Sequence, residues 1–392
     1  MSIFFSGLAG KRLLVSVFLL FLTGIVFAVD FTPPHFTSND PLIEEFIDEL
    51  NEEAKRVFGE YQDIINSKLA FLPSSVPNLA RAFANTSVFS SDGASLRGYE
   101  GYKAFSLTVG FMGALQFPRK FTLLDEIMNV INDGEGEAGF DLDRNDLDIG
   151  IGFDAQVFNA QLGINTSFLL KNLYLGFKFS MFDTSWIKAM PLSDISFKTM
   201  SVGITAKYQL IKQLRLFGGL FVWRGLNLGT GFIWQNSSLG FTTSLFPEED
   251  LLNLPPINTP IGYIRMQFDE TFHLDINTNT YIIPVEAMTS LRLLWSLNVA
   301  IGAGVDIAFG SSDINARGSF VGDVTGLPPG VTMDRAPSLN YGLGGNSAPG
   351  IFNVKAMGAV GFNFGPIIID IPVTYYFLDN GYSLGITFGL TF

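Results

Sequence analysis

The chain contains no cysteine, which removes disulfides, thiolate metal sites and lipid attachment at a cysteine behind an export signal. It has two histidines, His35 and His273, so a barrel hydrolase would need a serine or aspartate poised beside one of them. Beyond residue 28 no uncharged apolar run reaches the roughly 18 residues that a membrane-spanning helix requires. Basic residues are also scarce, 24 Lys and Arg against 37 Asp and Glu, for a net charge of −13. A surface of that sign repels nucleic acid, and no nucleic-acid partner is expected.

What the chain does have is apolar residues that are dispersed and not massed. Hydrophobic side chains make up 47% of it, 39 residues are Phe, and mean hydropathy is +0.31. After residue 28 they alternate with Gly, Ser, Thr, Asn and a few charges. That distribution suits a barrel wall, where lipid takes one face of each strand and the lumen the other. The expected fold is all-β: a transmembrane antiparallel up-and-down β-barrel of about 12–14 strands, preceded by an N-terminal amphipathic helix.

The clearest alternation closes the chain. Leu384, Ile386, Phe388, Leu390 and Phe392 occupy one parity, and Ser383, Gly385, Thr387, Gly389 and Thr391 the other. An apolar strand left as a free terminus invites edge-to-edge aggregation, and closure into a barrel removes the edge. This stretch also resembles the assembly signal of bacterial outer-membrane β-barrels, polar-x-Gly-x-x-aromatic-x-hydrophobic with a final Phe, at Ser383, Gly385, Phe388, Leu390 and Phe392. The resemblance implies two partners, the barrel-assembly machinery and outer-membrane lipid, and a place in the outer membrane of a diderm bacterium. The other end agrees. Lys11 and Arg12, the apolar run 13–27 and the Val26-Phe27-Ala28 exit read as a secretory signal peptide over residues 1–28. Its removal leaves the remainder two charges more negative.

Residues 29–102 form a second region, with a helix and a plug-like segment. Asp40 is placed as an N-cap and Pro41 at the first helical position. Apolar residues at Ile43, Phe46, Ile47, Leu50, Ala54, Val57, Phe58, Tyr61, Ile64 and Ile65 then follow helical spacing up to Pro73. Such a stripe needs a cover, so the helix is expected to plug the barrel, lie across its periplasmic mouth or bind a partner. The small, polar stretch 79–102 is expected to thread the lumen.

From Lys103 the period becomes two, and residues 103–392 read as the barrel. The segment 123–131 suggests a short helix, and 133–146 is an acidic connection. Gly262 to Leu291 reads either as one long strand or as a hairpin folded at 277–279. Ser311 to Gly350, rich in Gly, Pro, Ser, Asp and Asn, reads as a long extracellular loop. Asn380-Gly381 marks a tight hairpin turn.

If the apolar parity faces lipid, Asp148, Asp154, Lys178, Lys207, Glu286, Asp306, Lys355 and Asp370 face the lumen. They either pair across it as braces or set selectivity. No catalytic residue, cofactor or metal site emerges. The acidic run from Asp141 to Asp148 imitates a calcium loop but carries Asp146 where glycine is required and Gly152 where glutamate is. In strand count, length and the possession of residues 29–102 ahead of the first strand, the chain resembles the long-chain fatty-acid outer-membrane transporter family, although that family's Asn-Pro-Ala hatch element is absent. The resemblance implies passive transport of a small or hydrophobic solute. The competing reading is a surface-exposed binding protein or adhesin that uses 311–350, with the barrel as an anchor. Either way the processed chain is expected to require detergent and to show heat-modifiable gel migration. A fully soluble monomer without such migration would overturn both readings.

Overall fold

The computed structural model describes residues 28–39, 44–69, 75–91, 96–97, 99, 104–118, 150–168, 170–186, 195–243, 257–259, 262–325, 327 and 329–392. The signal segment through residue 27, the Asp40 cap, the 123–131 helix, the acidic connection and Asp148 lie outside them. In chain order the elements are β1 (Ala28–Thr32), β2 (His35–Ser38), α1 (Glu44–Leu69), α2 (Ser75–Ser90), β3 (Phe105–Gln116), β4 (Gly152–Asn165), β5 (Leu173–Asp183), β6 (Ile195–Ile211) and β7 (Leu214–Leu216). They continue with β8 (Phe221–Thr243), β9 (Ile257–Thr259), β10 (Gly262–Leu293), β11 (Leu297–Thr325), β12 (Val331–Arg335), β13 (Ser338–Ser347), β14 (Phe352–Phe364), β15 (Ile367–Tyr376) and β16 (Gly381–Thr391). The chain divides into two compact units.

One unit comprises residues 77–239, 276–313 and 346–392. Its strands pair in sequence order, β3-β4-β5-β6-β8-β10-β11-β14-β15-β16, and β16 returns to pair antiparallel with β3. At that seam Phe388 lies opposite Val109 and Tyr382 opposite Leu115. Phe105 and Phe392 exchange backbone hydrogen bonds of 3.0 and 2.9 Å. Ten strands thus form a closed up-and-down ring. The sheet as a whole holds 14 strands, because short strands join its margins. The ring uses fewer strands than the chain length suggests because β8, β10 and β11 run 23, 32 and 29 residues. Crossing a bilayer needs only about 9–11.

Burial in this ring is reversed relative to a water-soluble protein. Ile204, Leu384, Phe388 and Val373 are 62, 56, 52 and 47% exposed, whereas Lys178, Lys355, Asp306 and Gln235 are at most 1% exposed. Along β16 the residues alternate, apolar side chains outward and Gly, Ser or Thr inward. A continuous apolar belt of that kind is unstable in water and stable against hydrocarbon. No described helix is long and apolar enough to cross a membrane. The strands do the crossing, and the fold is a transmembrane β-barrel.

Two sequence expectations change here, and one open choice is resolved. Residues 262–293 form one strand, the first of the two alternatives, without the hairpin at 277–279. Residues 311–350 are not an irregular loop: β11 continues to Thr325, and β12 and β13 fill most of the rest. Gly, Ser and Asn give little side-chain contrast there and obscure strands whose hydrogen bonds are backbone bonds. The β15–β16 connection spans 377–380, with Tyr376 opposite Gly381 and Asn380 at φ 48°, so it is longer than a two-residue turn.

The other unit comprises residues before 77 together with 240–275 and 314–345. There β1 pairs with β13 and β2 with β12. The helix α1 covers its stripe against β1 and β2 by burying Ile47, Leu50 and Ala54. Asn51 brackets the backbone of Phe36, accepting from its N–H at 2.8 Å and donating to its carbonyl at 3.0 Å. Glu44, Glu45, Asp48, Glu49 and Glu52 stay exposed. His35 lies 2.7 Å from Asp334, and His273 lies 3.0 Å from the Thr242 hydroxyl.

An exposed isoleucine on a water-soluble surface tolerates arginine with little effect. Ile204→Arg is expected instead to lower stability by roughly 2–4 kcal/mol if the position lies near mid-bilayer. Urea titration of the barrel folded into lipid vesicles measures it.

Candidate functional site

The interior of the ring is occupied by the chain itself. The helix α2, SVPNLARAFANTSVFS, carries Pro77 in its first turn, where proline costs the helix little. Every residue from Ala82 to Ser90 is buried. Its apolar residues Val76, Leu79, Ala80, Phe83, Ala84 and Val88 recur at helical spacing, a signal weakened by the small and polar residues between them. Its hydroxyls are satisfied locally, Thr86 donating to the Ala82 carbonyl at 3.0 Å and Ser91 to that of Val88 at 2.6 Å. The wall makes room for it with two glycines. A Cβ at Gly152 would strike the Ala82 carbonyl, and one at Gly381 would strike the Phe89 ring. Phe89 stacks on Tyr376 with ring centroids 3.8 Å apart, among Val88, Ala114, Ile233, Ile282 and Ala308.

Polar contacts then follow the plug segment along the lumen. Ser87 meets Thr280 at 2.9 Å. Asp154 accepts hydrogen bonds from Ser90 at 3.1 Å, from Gln235 at 2.5 Å, and from the Ala155 N–H at 2.7 Å. Gln156 and Asn159 extend this network, Gln156 donating to Gln235 at 2.6 Å and Asn159 to Gln156 at 2.9 Å. Lys178 donates to the Ser91 carbonyl, and Lys207 donates to the Arg97 carbonyl at 3.1 Å. The plug backbone thereby supplies acceptors to two buried cations.

The strongest tie is Arg97. Its guanidinium meets the Asp370 carboxylate through three contacts of 2.7–2.9 Å, with the two side chains 1 and 2% exposed. It also donates to the Asn363 side chain and to the Phe362 carbonyl. Fork-to-carboxylate pairing with further acceptors is the geometry that makes a buried ion pair tolerable. Nearby, Lys355 bridges Glu286 at 2.7 Å and Asp306 at 2.8 Å, and Tyr376 donates to Asp306 at 3.3 Å. Beyond Arg97, Tyr99 donates through its hydroxyl to Asn165 at 3.1 Å and through its N–H to Asn227 at 2.9 Å.

A cavity of about 40 Å³ lies beside Ser91, Gln161, Lys178, Lys207, Glu286 and Asp306. At roughly 10–15 Å³ per water it holds about three water molecules. A second cavity, of about 180 Å³, lies by Asn78, Arg81, Gln116 and Asp379. Chemically the site is an enclosed lattice of paired charges and amides. Neither histidine belongs to this unit.

Of the residues singled out from parity, Asp154, Lys178, Lys207, Glu286, Asp306, Lys355 and Asp370 all lie on the inner side of the ring's strands, Asp148 being outside the described residues. The structure gathers Glu286, Asp306 and Lys355 into one cluster, ties Asp370 to Arg97, and sets Asp154 apart with the glutamines. Ser383 and Gly385 of the terminal motif face inward, and Phe388, Leu390 and Phe392 outward. Sequence reading missed Arg97, Ser90, Gln156, Asn159 and Gln235. Gln156 shares the parity of Asp154 and was within reach. Asn159 was not, because a bulge leaves both Val157 and Phe158 facing outward and shifts the parity beyond it.

A family model described as Lsa36-like matches residues 42–392. No curated protein matches. Among solved structures the chain is similar to the translocator domain of the autotransporter NalP from Neisseria meningitidis, at 9% identity over 78% of this chain and 93% of that one, with a TM-score of 0.27. It is also similar to the CymD monoaromatic hydrocarbon channel, at 10% identity over 80 and 98% with a TM-score of 0.24. The toluene transporter TbuX of Ralstonia pickettii matches at 8% identity over 80 and 99%, with a TM-score of 0.23. Likeness at these values carries no argument about what this chain does.

Removing one partner of a buried ion pair costs about 3–5 kcal/mol, because the other charge is left without compensation. Arg97→Ala and Asp370→Asn are each expected to lower the urea midpoint in detergent. The double variant Arg97→Met with Asp370→Leu is expected to recover most of the loss, as followed by tryptophan fluorescence.

Proposed function

This chain belongs to the Lsa36-like family, and we propose that it acts as an outer-membrane β-barrel for passive passage of a small solute, gated by the plug of residues 75–99. The observation that carries this reading is the reversed burial of the ring, lipid-compatible outside and charged inside. With the export signal expected at residues 1–28 and the terminal motif, it supports insertion from the periplasm into the outer membrane. The lumen chemistry favours a small hydrophilic solute over a hydrophobic one. An apolar molecule passing Lys178, Lys207, Glu286 and Asp306 would strip their partners and offer none in return. Passage requires the plug to shift, since a space of about 40 Å³ admits little beyond water. The ties that would have to yield are Arg97 to Asp370, and Lys178 and Lys207 to the plug carbonyls.

A second reading is supported by the filled lumen and by the separate unit built from the N-terminal segment with 240–275 and 314–345. In it the barrel is a closed anchor, and the strands within 311–350 present a binding surface in place of the loop first expected.

A disulfide separates the two readings. Ser87 and Thr280 touch at 2.9 Å, so Ser87→Cys with Thr280→Cys should oxidise and lock the plug in an otherwise cysteine-free chain. In planar bilayers the oxidised protein is expected to be silent, and conductance should appear after reduction or in Arg97→Ala. Silence in every state would remove the gate and leave the anchor.

A further inference from the structure

We infer that the chain threads its own barrel from the outer end to the inner end, so that the residues before Pro77 are displayed on the cell surface. The inference rests on the outer-membrane reading above and adds a direction to it.

The two ends of the ring differ. At one end strands are joined through 166–172, 212–220, 294–296 and 365–366, and at the other through 117–151, 184–194, 244–261, 326–351 and 377–380. Outer-membrane barrels carry short turns on the periplasmic side and longer connections outside. The short-turn end is therefore the inner one. Phe105, which opens β3, and Phe392 pair with each other at that end.

The contacts of the plug descend in order between these ends. Arg81 lies 3.6 Å from Asp379, in the 377–380 connection. Asn85 accepts from the Gly350 N–H at 2.8 Å, just ahead of β14. Phe89 then stacks on Tyr376, at the outer end of β15. Ser91 meets Lys178 near mid-strand. Arg97 reaches Asp370 and Asn363, close to the 365–366 turn. Tyr99 ends at Asn165, beside the 166–172 turn. The polypeptide thus enters at the long-connection end and leaves at the short-turn end, the end at which Phe105 opens β3.

The order of contacts along 81–99 runs from the long-connection end to the short-turn end. Residues 29–76, including α1 with its exposed Glu44, Glu45, Asp48, Glu49 and Glu52, must cross the membrane through the nascent barrel. They end on the outside, and the lumen is left filled by the trailing segment, of which residues 77–91, 96–97 and 99 are described. The filled lumen is then the residue of that passage as well as a barrier.

The absence of cysteine makes single-cysteine reporters clean. Glu49→Cys and, independently, Glu52→Cys report on α1, and Lys171→Cys reports on an inner turn. Intact cells are treated with a membrane-impermeant maleimide, before and after permeabilisation of the outer membrane. The two α1 reporters are expected to label equally in both conditions, and Lys171→Cys only after permeabilisation. An α1 reporter that needs permeabilisation, or Lys171→Cys that labels on intact cells, overturns the inference, provided the variant shows heat-modifiable migration. If no variant shows such migration and all partition with soluble protein, the outer-membrane reading has failed first, and the inference falls with it.

Discussion

Hydrocarbon offers a peptide group no hydrogen-bond partner, and that single deprivation shapes this molecule. A sheet can satisfy it only by closing, and here closure is completed where β16 meets β3 along a register from Gly381 to Thr391. Once the backbone is sealed within the ring, side chains sort by solvent. Phe, Leu, Ile and Val turn outward because lipid costs them nothing. Lysines, aspartates and amides turn inward because lipid would cost them several kcal/mol each.

Closure creates a second problem, an interior too polar to collapse and too narrow to hold bulk water alongside a helix. The chain resolves it by passing through. The segment 77–99 lends carbonyls to Lys178 and Lys207, a hydroxyl to Asp154 and a guanidinium to Asp370. Each of these contacts gives a buried polar wall residue a partner from the plug. Plug and wall are therefore mutually dependent, and any functional opening has to replace these contacts with water or solute. Glycines at 152 and 381 show that the wall is shaped for the plug by omission of side chains.

Much of the barrel was legible beforehand, because period-two alternation is a local property that lipid and lumen impose on every residue of a spanning strand. The inward position of Lys178, Lys207, Asp306 and Lys355 followed from parity alone. Legibility failed where the local rule was interrupted or absent. The bulge at Val157 and Phe158 shifted the phase ahead of Asn159. Weak side-chain contrast concealed the strands within 311–350. In α2, buried from Ala82 to Ser90, small and polar residues weakened the helical recurrence of Val76, Leu79, Ala80, Phe83 and Ala84.

By itself, the sequence determined the class of the molecule: no cysteine, no spanning helix, alternating apolar strands and few charges leave a membrane barrel as the arrangement that satisfies both lipid and backbone. Tertiary structure alone decided how many strands close the ring, which charge meets which, and in which direction the plug segment, already expected within 79–102, passes along the lumen. Alternation states which face a residue takes, but pairing across a lumen joins residues as far apart as Arg97 and Asp370. No local period encodes which of several inward charges will come within reach of another.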